Sequence, residues 1–131
     1  AEVPQAFARH RVTMHIPRRP YVAALPGIPT IRVFEALACG IPLISAPWQD
    51  AENLFRPGMD YLIARSGGEM KSLVRELLND EARAAELIRS GLETISNRHT
   101  CRHRVDELLA ILAEHGTSRV TDALAAREAA Q

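Results

Sequence analysis

The stretch GIPTIRVFEALACGIPLISA, residues 27–46, predicts a helix followed directly by a buried strand. Thr30 is a residue type that begins helices, and the residues after it are apolar at most positions. Gly40 and the proline two residues later end the helix, because glycine adopts the left-handed backbone of a helix C-terminus and proline cannot continue it. The run 42–46 is almost wholly apolar, as in a strand buried on both faces of a parallel sheet. We therefore predict a helix over residues 31–39 and a strand over 42–46.

Strand patterns stand on both sides of this stretch. RVTMHI (11–16) alternates apolar residues and is rich in strand formers, and YLIA (61–64) is a short apolar run. PRRPYVAALPGIP (17–29) contains four prolines, which predicts a long, stiff loop. Residues 2–9 predict a short helix, and PWQDAENLF (47–55) predicts a turn and another short helix.

The chain that follows is helical by pattern. Ser66 and Glu69 can form a capping box for a first helix, and Asp80 and Thr100 can cap a second and a third. The predicted apolar face of the second helix comprises Ala85, Ile88, Leu92 and Ile95. The Ala-rich segment 117–131 has few apolar anchors, so we predict a helical or disordered tail there.

The alternation of strands and helices indicates an α/β fold with a parallel sheet and helices on its faces. About three strands are predicted, whereas doubly wound nucleotide-binding domains have about six. We therefore expect a partial Rossmann-like sheet with flanking helices and a helical C-terminal region. Residues 1–116 would form the C-terminal portion of such a domain, and residues 117–131 the separate tail.

The composition argues against several classes of protein. Sixteen basic side chains balance sixteen acidic ones, so neither a nucleic-acid nor a membrane-surface footprint is indicated. Cys39 and Cys101 form no disulfide framework, and we expect them to be reduced in a cytoplasmic protein. The first residues carry charges where a signal peptide would be apolar, and no apolar run approaches the roughly 18 residues of a membrane span.

The start of the helix at Thr30 is the main candidate binding site. A helix that follows a strand of a parallel sheet begins at the carboxyl edge of that sheet, where ligands bind. The free N–H groups of the first turn favour an anion there, so Ile31 and Arg32 would lie near a phosphate. Gly27 would shape the loop, and Glu35 would accept hydrogen bonds from sugar hydroxyls. The spacing alone favours the alternative that Arg32 and Glu35 form a surface ion pair.

Three segments resemble those of group 1 glycosyltransferases with the GT-B fold, especially the CgeB-like, spore-coat branch. GIPTIRVFEALACGIPLIS is similar to their R-x-F-E-A-x-A-x-G-x-P-x-I segment, NLFRPGMDYLIA to their x-L-F-x-P-G-x-E turn, and HTCRHRVDELLAIL to their closing H-T-x-x-x-R helix. The resemblance covers most of residues 5–113. It implies a glycosyltransferase whose C-terminal Rossmann-like domain binds a nucleotide-diphosphosugar donor, while the cleft to an N-terminal domain holds the glycosyl acceptor.

The resemblance also implies roles for single residues. Glu35 matches the second glutamate of the family's E-x(7)-E motif, which contacts the nucleotide ribose. Thr30, Ile31 and Arg32 match the loop and helix start beside the diphosphate. Gly27 stands where the motif has its first glutamate, and this departure leaves retaining or inverting chemistry open. We expect the acceptor domain and the first half of the donor domain to lie outside these 131 residues, so that the chain alone would be inactive.

Other residues offer weaker sites. His15 ends the first strand, where it would face the donor sugar or serve as a half-buried structural residue. Arg18 and Arg19 follow it and would approach the phosphates or lie in a solvated loop. His99 and His103 have a zinc-ligand spacing, but no third ligand is evident and we favour surface histidines. We expect no cofactor and no metal ion.

A second reading of the whole chain stays open at this point. It is a non-catalytic α/β module that binds a nucleotide, or a partner protein through the Ala-rich tail. Self-association is also expected, because the strand near residues 11–16 would offer an apolar sheet edge to a neighbour.

Overall fold

The computed structural model of the chain describes residues 2–114. This part of the chain contains three strands and six helices, in the order α1 Val3–Ala8, β1 Thr13–His15, α2 Arg19–Ala24, α3 Ile31–Ala38, β2 Leu43–Ser45, β3 Leu62–Ile63, α4 Gly67–Asn79, α5 Glu81–Arg98 and α6 Cys101–Glu114. The chain divides after Ser96 into two compact units. The first contains the sheet, and the second contains α6. The predicted tail, residues 117–131, lies outside the described residues.

The sheet is parallel and has the order β1-β2-β3. Thr13 pairs with Leu43 in the first ladder, and Ile44 pairs with Leu62 in the second. The structure therefore confirms the predicted α/β fold, with a small three-stranded parallel sheet and flanking helices. Because β2 is the central strand, its edges are both paired, and β1 lies at one edge of the sheet.

The core lies on both faces of the sheet, which explains why β2 is apolar almost throughout. Leu43 packs on one face against Val33 and Leu37 of α3. Ile44 packs on the other face in a cluster with Leu77 of α4. All residues of β2 are buried. The alternation of neighbouring side chains across a strand thus explains why a strand between two helical layers needs no polar face.

The predicted helix of the opening stretch is confirmed as α3. It ends one residue before Cys39, and Gly40 has a φ of 65°, in the left-handed region that glycine tolerates. Cys39 and Cys101 are both exposed and free. The glycine signal at the C-terminal end of α3 is local in sequence, and for this reason that boundary was predictable.

Two predicted connections are wrong in detail. The segment 17–29 is not loop throughout, because α2 forms within it. Pro20 is compatible with this helix since it stands in the first turn, where its missing N–H would have no acceptor. No helix forms over 47–55 either. There the carboxylate of Asp50 accepts the backbone N–H groups of Leu54 and Phe55, both at 2.9 Å, and so stabilises a turn instead.

Strand β1 buries the polar side of its sequence. Met14 and Ile16 are 55% and 68% exposed, whereas His15 between them is 5% exposed. The apolar alternation of RVTMHI thus does not mark the buried face at this end of the strand. His15 is buried because it lies on the face that α3 covers, and because polar partners are available there.

Helix α5 approaches the rest of the first unit closely through Gly91. A Cβ at this position would lie 2.9 Å from Cδ2 of Leu37, so a larger residue would require the Leu37 side chain to move. Leu87 and Gly91 are the buried residues of α5, while Leu92 is exposed. The apolar face predicted from Ala85 and Leu92 is therefore shifted around the helix.

A buried carboxylate joins α5 to the turn before β3. Asp60 is fully buried and accepts hydrogen bonds from the Arg56 guanidinium at 3.0 Å, from the Ser90 hydroxyl at 2.6 Å and from the Thr94 hydroxyl at 3.0 Å. Burial alone would raise the pKa of Asp60, but the hydrogen bonds from Arg56, Ser90 and Thr94 outweigh it and hold the pKa below its usual value. The Asp60 cluster, formed by Asp60, Arg56, Ser90 and Thr94, therefore holds α5 against the turn before β3.

The predicted helix caps of the C-terminal region are present. The Ser66 hydroxyl accepts the N–H of Glu69 at 3.1 Å, while the Glu69 carboxylate accepts the N–H of Arg65 at 2.7 Å. Asp80 accepts the N–H of Arg83 at 2.8 Å at the start of α5. The bonds from Glu69 and Arg83 satisfy first-turn donors that have no partner within their helices, and the bond from Arg65 ties the residue before the cap to α4.

Candidate functional site

A cleft of about 680 Å³ in the first unit runs along β1 to its carboxyl end and reaches the start of α3. Apolar side chains of α1, β1 and α3 form much of its wall. Its polar lining comes from Thr13, His15, Arg18, Tyr21, Thr30 and Arg32. This is the edge of a parallel sheet at which open α/β folds bind their ligands.

His15 is the buried polar centre of the cleft wall. Its Nδ1 lies 2.9 Å from Oγ of Ser45, and its Nε2 lies 2.8 Å from Oγ1 of Thr30. The imidazole therefore connects the ends of two neighbouring strands to the start of α3. Burial lowers the pKa of His15, because the interior disfavours the charged imidazolium.

Thr30 occupies the N-cap position of α3 but does not cap the helix. Its backbone is extended, as in an N-cap residue, yet its side chain makes no hydrogen bond to the first turn. The hydroxyl is bound to His15 instead. The predicted position of Thr30 is thus confirmed, while the predicted cap is wrong. As a consequence, no side chain caps the first N–H groups of α3, and Ile31 and Arg32 line the cleft.

The charged groups that line the cleft are Arg18 and Arg32, both exposed. No Asp or Glu is found among the described residues of its lining. The start of α3 adds the positive end of a helix dipole at the same place. The field inside this cleft therefore favours a negatively charged ligand.

The sequence model of a family described as glycosyl transferase-like matches residues 1–110. The chain belongs to this glycosyl transferase-like family. The comparison with curated proteins and the comparison with solved structures both found no match.

Two residues that the sequence assigns to the site of this glycosyl transferase-like chain are not part of the cleft wall. Gly27 lies in the loop before α3, where an added Cβ would make only ordinary contacts, at 3.6 Å, with Ala51 and with the Gln49 carbonyl. Glu35 lies one turn into α3 and accepts a hydrogen bond from the Arg32 guanidinium at 2.8 Å. The surface ion pair anticipated from the spacing is thus present, with Arg32 at the cleft and Glu35 behind it.

Ser45 is a site residue that the sequence reasoning did not single out. It is fully buried at the end of β2, and its hydroxyl contacts both His15 and the carbonyl oxygen of Ala46, at 2.9 and 2.7 Å. A single serine at the carboxyl end of an otherwise apolar strand was the available signal. A buried hydroxyl needs a hydrogen-bond partner. Because Ser45 ends β2, its partner His15 lies at the same edge of the sheet.

The two histidines near the start of α6 each contact a neighbouring side chain. Nδ1 of His103 lies 2.7 Å from Oγ1 of Thr100, which precedes the helix, and His99 lies 3.2 Å from the Arg104 guanidinium. Residues 2–114 contain no group of three or more His, Cys, Asp or Glu residues placed to hold a metal ion. Within the same range, every helix is too short or too polar to cross a bilayer.

Proposed function

We propose that the chain is the donor-binding part of a glycosyltransferase with the GT-B fold, in the CgeB-like branch, and that the cleft binds a nucleotide-diphosphosugar. The observation that supports this most is the combination of two arginines, a helix start without a side-chain cap and a lining without carboxylates. A diphosphate is the part of such a donor that this field would attract. Family membership supplies the class of reaction.

The roles within the cleft follow from position. Arg32 and the first N–H groups of α3 bind the diphosphate, and Arg18 reaches it from the loop after β1. Glu35 lies outside the cleft wall, next to Arg32. In this proposal it releases Arg32 to the phosphates and accepts hydrogen bonds from ribose hydroxyls that extend beyond the cleft. Ligand binding thus replaces the exposed ion pair between Arg32 and Glu35 with charge-assisted contacts to the ligand. Such an ion pair contributes little to the stability of the fold by itself.

The chemistry of this proposal is electrostatic. The bond between the sugar carbon and the diphosphate oxygen breaks, the acceptor oxygen bonds to the same carbon, and the acceptor proton passes to the leaving diphosphate or to solvent. Negative charge accumulates on the leaving diphosphate. Arg32 and the start of α3 stabilise that charge. An N-terminal domain of the same protein holds the acceptor, because transfer requires both reactants at a fixed distance.

Calorimetric titration with a panel of nucleoside diphosphates tests the proposal. We expect at least one of them to bind, and Arg32→Ala to weaken that binding on the order of tenfold or more, as for a lost charge-assisted contact. The matched control is Arg65→Ala, because Arg65 is also an exposed arginine in an ion pair with a glutamate and lies outside the cleft. Equal losses in both variants, or no binding of any diphosphate, would contradict the proposal.

A further inference from the structure

The hydrogen bonds from Thr30 through His15 to Ser45 have a direction. The Ser45 hydroxyl has one hydrogen, and its Oγ lies 2.7 Å from the Ala46 carbonyl oxygen, which can only accept. Ser45 therefore donates to Ala46 and accepts from Nδ1 of His15. A neutral imidazole with its hydrogen on Nδ1 has a bare Nε2, so Nε2 accepts the hydroxyl hydrogen of Thr30 at 2.8 Å.

This direction decides what Thr30 offers to a ligand. With its hydrogen bound to His15, the Thr30 oxygen presents only lone pairs to the cleft. A ligand hydroxyl can donate to these lone pairs, whereas a phosphate oxygen cannot. Protonation of His15 at Nε2 reverses this bond. Nε2–H then donates to Thr30, and the hydroxyl hydrogen of Thr30 becomes available to an anion, while the bond from Nδ1 to Ser45 is unchanged.

We propose that anion binding beside Thr30 is coupled to the uptake of one proton from solvent by His15, which turns the Thr30 hydroxyl from an acceptor into a donor toward the ligand. This inference rests on the proposed function, because the anion is the diphosphate of the donor. Thr30 would then distinguish the two parts of that ligand by charge state. It accepts from a sugar hydroxyl when His15 is neutral, and it donates to a phosphate when His15 is charged.

The surroundings of His15 make both states accessible. Arg18 from the loop after β1, Tyr21 from α2 and Arg32 from α3 are the titratable groups that line the cleft with it, and Ser45 of β2 is uncharged. Burial disfavours the imidazolium while the cleft is empty. A bound anion supplies the missing opposite charge and so favours the imidazolium.

Inorganic sulfate is a suitable probe, because it stays doubly charged near neutral pH and its own titration does not interfere. The side-chain nitrogens of His15 are followed by NMR in sulfate and, as the control, in chloride at the same ionic strength. We expect the Nδ1–H tautomer in chloride and an increase of about one unit in the pKa of His15 at saturating sulfate. That increase equals about tenfold tighter sulfate binding to the charged form.

Two substitutions at Thr30 separate the hydroxyl from the general field of the anion. Thr30→Ser keeps the hydroxyl and should keep the sulfate-dependent increase in the pKa of His15. Thr30→Val removes the hydroxyl and should reduce that increase. An equal increase in the valine variant, or the Nε2–H tautomer in the wild type, would overturn the coupling. If the valine variant does not fold, the wild-type tautomer and pKa decide.

The result also separates this inference from the proposed function. Sulfate that shifts the resonances of Arg18 and Arg32 but leaves the pKa of His15 unchanged would overturn the coupling and leave the anion site in place. Failure of sulfate and of every nucleoside diphosphate to bind in the cleft would overturn both.

Discussion

Thr30 Oγ1 lies 2.8 Å from Nε2 of His15, so the residue that begins α3 is bound to β1 and not to its own helix. A helix start without a side-chain cap is a less stable arrangement than a capped one, by about 1 kcal/mol. The missing cap is compensated by the hydrogen bond that the Thr30 hydroxyl makes to Nε2 of the buried His15. In a cleft that attracts anions, this arrangement leaves the first N–H groups of α3 to a ligand.

Thr30→Val should therefore destabilise the protein. The valine leaves Nε2 of His15 buried without a partner, which costs about 1–3 kcal/mol. Thr30→Ser keeps the hydroxyl and should cost much less. Urea unfolding of both variants measures the difference. Equal stability of the valine and serine variants would show that the contact between His15 and Thr30 contributes nothing to folding.

Asp60→Ala should be among the more destabilising substitutions in the first unit. It removes a fully buried carboxylate and leaves the hydroxyls of Ser90 and Thr94 without the acceptor that they share, while the Arg56 guanidinium keeps only its bonds to these two hydroxyls. Losing hydrogen bonds to a charged group costs about 1.5–3 kcal/mol or more. Ser90→Ala, which removes one donor only, should cost about 1 kcal/mol. If Asp60→Ala lost less unfolding free energy than Ser90→Ala in denaturant unfolding, the stabilising role of the Asp60 cluster would be contradicted.

The same carboxylate predicts a pH dependence of stability. The pKa of Asp60 is lower in the folded protein than its usual value of 3.8. Its contribution is therefore complete above about pH 4 and is lost as the pH falls through the lower folded value. Wild type should lose stability below about pH 4 more steeply than Asp60→Asn, whose side chain does not titrate. Parallel curves of unfolding free energy against pH would contradict this.

The local parts of the fold were predictable from the sequence, and the long-range contacts of the site were not. The boundaries of α3 follow from Gly40 and the residues beside it, and the burial of β2 follows from its composition. The contact between His15 and Ser45 spans 30 residues of sequence and depends on the order and register of two strands. No spacing rule reveals it.

The errors have equally specific causes. The proline pattern predicts a loop where α2 forms, because proline usually breaks a helix, whereas Pro20 stands in a first turn, where a helix tolerates it. The cap assigned to Thr30 was wrong because a tertiary partner, His15, competes for the same hydroxyl. In both cases the residue type has a local structural preference, but its position in the fold decides which structure it adopts.

The free edge of β1 should promote self-association. Met14 of this strand and Ile16, which follows it directly, are exposed, and an apolar strand at a sheet edge is a template for another strand. Light scattering should show association that rises with concentration and that Ile16→Lys reduces. Met59→Lys is the matched control, because Met59 is also exposed but lies in a turn. A clean monomer at high concentration, or an equal effect of both substitutions, would contradict the prediction.

The chain of 131 residues should not transfer sugar when it is purified alone. Under the proposed function it holds the donor, whereas an N-terminal domain holds the acceptor, and catalysis depends on holding both together. Incubation with a panel of nucleotide sugars and acceptors tests this. Transfer that requires the protein and clearly exceeds hydrolysis of the donor would show that the acceptor site lies within this chain.

Glu35→Ala should weaken nucleotide-sugar binding in the full-length protein while changing its stability little. The exposed pair with Arg32 contributes under about 1 kcal/mol to folding, whereas a charge-assisted hydrogen bond to ribose contributes about 1.5–3 kcal/mol to binding. Affinity should thus fall on the order of ten- to a hundredfold. Glu86→Ala is the control, because Glu86 forms an ion pair of the same spacing with Arg83 outside the cleft. Calorimetric titration measures both variants, and wild-type affinity in Glu35→Ala would leave Glu35 as the surface half of an ion pair.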